Sequence, residues 1–102
     1  MRIIKKLSCL IDEEIGDARK YAKLALEWKD EDAGLAQMFN LLSQDEMKHM
    51  GMLHDAVTKI IAQVQDDGDP RVEGMRIAYE VLHDKAIDDA AEVKVMQQMF
   101  RE

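Results

Sequence analysis

Apolar residues recur along this chain in alternating steps of three and four, the spacing that keeps one face of a helix turned toward a neighbour. The first stripe runs Ile4, Leu7, Ile11, Glu14, Ala18, Tyr21, Ala25, Trp28, apolar everywhere but at Glu14. A second runs Leu35, Phe39, Leu42, Glu46, His49, Leu53, Ala56, Ile60, Gln63, and a third Val72, Met75, Tyr79, Leu82, Ala86, Asp89, Val93, Met96, Phe100. Breakers separate them. In "KDEDAGLA" (29–36) Asp32 suits a helix N-cap; in "DDGDPRVE" (66–73) Gly68 suits a stop, Asp69 an N-cap and Pro70 a first helical position. The pattern predicts helices over roughly 3–29, 33–65 and 70–101.

On the first two stripes the polar intruders are Glu14, Glu46, His49 and, near the end, Gln63. A short loop makes the first two helices antiparallel. At about 1.5 Å per residue, Glu14 then lies about 27 Å from the turn near Asp32, and Glu46 and His49 about 21–26 Å from it. The three share one level and are expected to point inward together. A carboxylate in an apolar seam needs a positive partner, a proton or a metal ion, and neither stripe carries a Lys or Arg.

Composition narrows the class. Charged residues make up 34% and aromatics 5%, with eight Met and one Pro, which suits surface-charged helices better than a sheet; the expectation is an all-α chain. At 102 residues it is read as one domain, 1–102. The net charge of −7, with scattered Lys and Arg, lacks the basic footprint of a nucleic-acid partner. Cys9 is the only cysteine, so an internal disulfide is excluded. Neither a signal-peptide pattern nor a membrane-length apolar run is present, and a soluble cytoplasmic protein without membrane association is expected.

The residues around the trio resemble a known family. "EIGDARKYAKLALEWK" carries Glu14, Ala18, Arg19 and Tyr21, and "LAQMFNLLSQDEMKHM" carries Phe39 seven residues ahead of Glu46-x-x-His49. Over about residues 10–60 this is similar to the rubrerythrin-type members of the ferritin-like di-iron carboxylate superfamily. The resemblance implies that Glu14 and Glu46 are carboxylate ligands and His49 a terminal nitrogen ligand of two iron, or manganese, ions. It also implies ferroxidase or peroxide-linked oxidation as the chemistry. Such mixed ligands do not exclude zinc.

The family's fold is a four-helix bundle whose second helix pair repeats Glu and Glu-x-x-His; here one further helix follows a short loop, so half of that ligand set is missing from the chain. Two copies packed about a two-fold axis supply it, as in half-ferritins of the encapsulated type, so a homodimer or higher homo-oligomer is expected, with two ions per dimer. No Cys pair for a rubredoxin-like electron-transfer centre is present.

Other readings of the same residues stand beside this one. Glu46 and His49 also fit a hydrogen-bonded register pair inside a metal-free interaction or assembly module. Glu13 substitutes for Glu14 if the register slips by one. Asp89, counted back from the second turn, falls near the level of Glu46 and His49 and reads either as a solvated side chain at the bundle edge or as an extra ligand or acceptor for His49. His54 and Glu80-x-x-His83 lie off the stripes and read as solvated. Tyr21 reads as packing or redox, and Met38, Met47, Met50 and Met52 as core filler. Gly16 and Gly51 interrupt helices near the trio, where they suit a close approach, a bulge, or an incidental surface position.

Overall fold

The computed structural model describes residues 2–63, 68 and 70–102, and among them every element is helical: α1 (Arg2–Trp28), α2 (Ala33–Gln63) and α3 (Pro70–Arg101). The all-α expectation holds. Positions 64, 65 and the proposed cap Asp69 lie outside the described residues. Among the described residues no helix is long and apolar enough to cross a membrane.

Local chemistry sets the ends. The amides of Glu31 and Asp32 donate to the Trp28 carbonyl at 3.1 and 2.9 Å, closing the last turn of α1. Asp32 Oδ1 then accepts from the Leu35 amide at 3.0 Å, capping α2 as expected. Gly68 has φ 88°, a left-handed conformation open to glycine without strain, and Pro70 begins α3.

The helices run up, down and up in a rod 58 Å long and 17 × 16 Å across. Pairings from Arg19 to Glu92 and from Lys29 to the Met99 carbonyl advance together along α1 and α3, so these two are parallel. α3 rests mainly on α1 and meets α2 sparsely.

The core draws on Ile4, Ile11, Ile15, Ala18 and Ala22 of α1, Val57 of α2, and Ala90 and Val93 of α3. Full burial of a side chain such as Val57 or Val93 contributes about 1.5–3 kcal/mol. The α1 stripe is largely the buried face, though Trp28 at its end is 37% exposed.

On α2 the stripe read from the sequence is displaced. The buried residues are Ala36, Asn40, Ser43 and Val57, each one position after Leu35, Phe39, Leu42 and Ala56. The physical reason is that α2 faces two partners: its inward arc turns from α1 toward α3, as the Gln97–Ser43 bond marks, and the apolar stripe is left half-buried at the edge, with Leu53 and Ile60 still packed against the core. A smaller shift occurs on α3, where Ala90 and Gln97 are buried beside Asp89 and Met96. A Cβ at Gly16 or Gly51 would meet nothing within 4 Å, and α1 and α2 continue unbroken through both, so neither marks a close approach or a bulge.

Candidate metal centre

Glu14 projects from α1, and Glu46 and His49 from adjacent turns of α2, and the structure brings them together. One ligand atom from each lies within 4.8 Å of the others. His49 Nδ1 stands 3.6 Å from Glu14 Oε2 and 3.6 Å from Glu46 Oε2. Both separations exceed a hydrogen bond. Among the described residues, neither carboxylate has a Lys or Arg ion pair; the nitrogen group beside them is the His49 imidazole.

The trio lies at the flank, which corrects the expectation of a fully inward cluster. The Glu14 and Glu46 side chains are 25% and 20% exposed, whereas His49 is 56% exposed. The displaced arc of α2 explains this, because it carries Ser43 and Met47 toward the core and leaves Glu46 and His49 at the rim.

The electrostatics are unresolved by the protein's own groups. Glu14 has its pKa raised from the usual carboxylate value, first by a carboxyl–carboxyl hydrogen bond with Glu46, then by desolvation and by the Glu46 charge; His49 opposes the shift and Asp17 adds to it. That hydrogen bond exists only while one carboxyl holds a proton. With both ionised, Glu14 Oε2 is out of reach of solvent and lacks a donor. An orphaned carboxylate oxygen beside a second carboxylate and an imidazole is what a divalent cation satisfies, so the donor set fits a metal ion.

One turn from the trio, the helices are tied through their interior. The Ser43 hydroxyl donates to the Ala18 carbonyl at 2.8 Å and accepts from Gln97 Nε2 at 2.9 Å, linking α1, α2 and α3 at one point. Tyr21 stacks on Phe39 with centroids 6.3 Å apart, on the same flank as the trio, which makes it a packing tyrosine.

Other sequence candidates fall elsewhere. Glu13 is exposed and outside the trio. Asp89 does not approach His49: Arg19 Nη2 holds its Oδ1 at 3.5 Å and Lys85 Nζ its Oδ2 at 3.5 Å. The cause is again the turn of α3, which aims Ala90 at the core and Asp89 at Arg19 along the far edge of α1.

His54 and His83 correct the reading of solvated side chains. Both are half-buried, and His54 Nε2 lies 3.1 Å from His83 Nδ1 across the α2–α3 groove. Sequence reasoning missed this pair although a signal existed: the two histidines stand at nearly equal distances from Gly68 on either side, which places them level in an antiparallel pair. Glu80 is exposed, as expected.

No protein-family model, curated protein or solved structure matches the chain.

Proposed function

We propose that this is a ferritin-like iron- or manganese-binding protein in which Glu14, Glu46 and His49 hold one ion per chain, and two chains bring two such sets together as a di-metal centre. The observation that carries the proposal is the convergence of two carboxylates and an imidazole on a flank where Glu14 Oε2 has no donor. Two oxygens and a nitrogen suit iron and manganese, and three ligands leave positions for those of a second copy.

The placement of α3 supports the dimer. It covers the α1–α2 hairpin on the side marked by Arg19 and Gln97 and leaves the trio's own flank uncovered. That flank carries Ile3, Leu10, Tyr21, Leu24 and Trp28 of α1 with Leu35, Met38, Leu42 and Leu53 of α2, above and below the trio. Apolar area on both sides of an ion-binding trio is what a two-fold partner buries to complete a four-helix bundle.

The roles of the side chains follow from their positions. Glu14, anchored on the better-packed helix, presents an oxygen toward Glu46; Glu46 and His49, one turn apart, direct an oxygen and a nitrogen at the same point. The Ser43–Ala18 bond fixes the approach of the two helices beside them. Bound iron supplies one-electron redox chemistry at each ion, the basis for ferroxidase or peroxide-linked oxidation.

Elemental analysis of chelator-free protein, with its mass in solution, tests the proposal. About one iron or manganese per chain in a dimer is expected, and loss of the metal from Glu46→Ala and His49→Ala. Protein that retains no metal and takes up no Fe(II) anaerobically overturns it in favour of a metal-free helical interaction module.

A further inference from the structure

The groove between α2 and α3 holds a cavity of about 500 Å³, lined by apolar side chains such as Ile11, Met50, Leu82 and Ala90, with His54 and His83 facing each other in its wall. The rings have centroids 4.6 Å apart, and Tyr79 stacks on His83 from the other side at 5.7 Å. His54 is 35% exposed, so small solutes reach the pair.

Two imidazole nitrogens 3.1 Å apart share either a proton or an ion. Zinc–imidazole bonds are about 2.0–2.1 Å, so two of them spanning that gap subtend about 100° at the metal, between a square-planar and a tetrahedral angle. The separation of the nitrogens is therefore that of neighbouring ligands on one ion. On the far side of His54, Nδ1 lies 3.8 Å from Asp55 Oδ1, beyond a hydrogen bond, so the Asp55 carboxylate adds negative charge near the pair without being tied to it.

We propose that His54 and His83 form a second metal site, a two-imidazole clasp between α2 and α3 for Zn²⁺ or Cu²⁺. Its chemistry differs from that of the trio. Among the described residues no third acidic, Cys or His ligand joins this pair at ligand spacing, so the protein contributes nitrogen alone; that disfavours manganese and suits zinc and copper. The remaining coordination positions open into the cavity and are taken by water or a small donor ligand. The clasp also joins α3 to α2 where the two helices otherwise meet sparsely. It does not depend on the function proposed above.

The chain has three histidines, so a His49→Ala protein keeps imidazole only at this pair. Titrating that protein with Cu²⁺ alone and recording nitrogen hyperfine couplings by electron paramagnetic resonance reads the site directly. Two imidazole nitrogens on one Cu²⁺ are expected, falling to one in His49→Ala/His83→Gln. Zn²⁺ should also raise the melting midpoint of His49→Ala and leave that of His49→Ala/His83→Gln unmoved. Spectra showing one imidazole or none in His49→Ala, or spectra unchanged by His83→Gln, overturn the proposal and leave the pair sharing only a proton. Because the copper spectra are taken without His49, failure of the trio as a metal site does not affect them.

Discussion

Ser43 lies against Ala18 so closely that its hydroxyl donates to the Ala18 main-chain carbonyl at 2.8 Å, and both residues are fully buried. The bond bridges two helices at a point where small side chains face each other, and Gln97 of α3 donates into the same hydroxyl. Ser43→Ala removes an acceptor from Gln97 and strands a second lone pair of a helical carbonyl. A loss of about 1–3 kcal/mol is expected, measured by urea denaturation. Since Ser43 is one turn from Glu46 and Ala18 one turn from Glu14, the same substitution should also weaken metal uptake. A variant as stable as wild type would show that the bond does not tie the three helices.

Glu14 makes the metal-free protein sensitive to pH in an unusual direction for a carboxylate. Its folded pKa is raised above the ordinary 4.5, so between the two values the folded chain binds more protons than the unfolded one, and stability falls as pH rises. The contribution is fully present below pH 4.5 and is lost as pH climbs through the raised value. Glu14→Gln should flatten that slope and, without metal, melt higher than wild type at neutral pH. Metal runs the other way: the ion competes with the proton, so uptake should weaken on acidification. Melting curves across pH, with and without Fe(II), separate the two effects.

Asp89 supplies a negative control for the trio. Its oxygens are taken by Arg19 and Lys85, each at 3.5 Å, on partly exposed side chains. Asp89→Asn should cost about 0.2–1 kcal/mol, the range of a solvated ion pair, with metal content unchanged. A metal content that drops with Asp89→Asn would place α3 in the site after all.

Three helices and the grouping of Glu14, Glu46 and His49 were legible because each depends on features a linear pattern carries. Caps fix the loops, the rise per residue fixes the levels, and two antiparallel stripes bring equal levels together. The depth of the trio was not legible. A hydrophobic stripe identifies the apolar arc of α2 but not how that arc is divided between two partners, and the buried positions Asn40 and Ser43 are polar, invisible to an apolar count. Burial of Gln97 and the turn of Asp89 toward Arg19 escaped for the same reason. The histidine pair was hidden differently, since His54 and His83 lie off both stripes and meet only because α3 settles over α1 and leaves a groove beside α2.

The choice of face for a second copy is open to direct test, because the chain exposes apolar residues on two sides. Met38 is 45% exposed on the trio's flank, and Ile87 is 52% exposed on α3, beside the α2–α3 cavity. A charge on either side chain costs little in the monomer, as neither is packed, but a charge buried without a partner in an interface prevents association. If two chains meet over the trio, Met38→Glu should sediment as a monomer and lose most of its metal, whereas Ile87→Glu should remain a dimer with metal content intact. The reverse pattern would place the interface on α3, far from Glu14, and a di-metal centre shared between copies would then have no geometry to support it. Circular dichroism on both variants, unchanged from wild type, ensures that the comparison reports association and not unfolding.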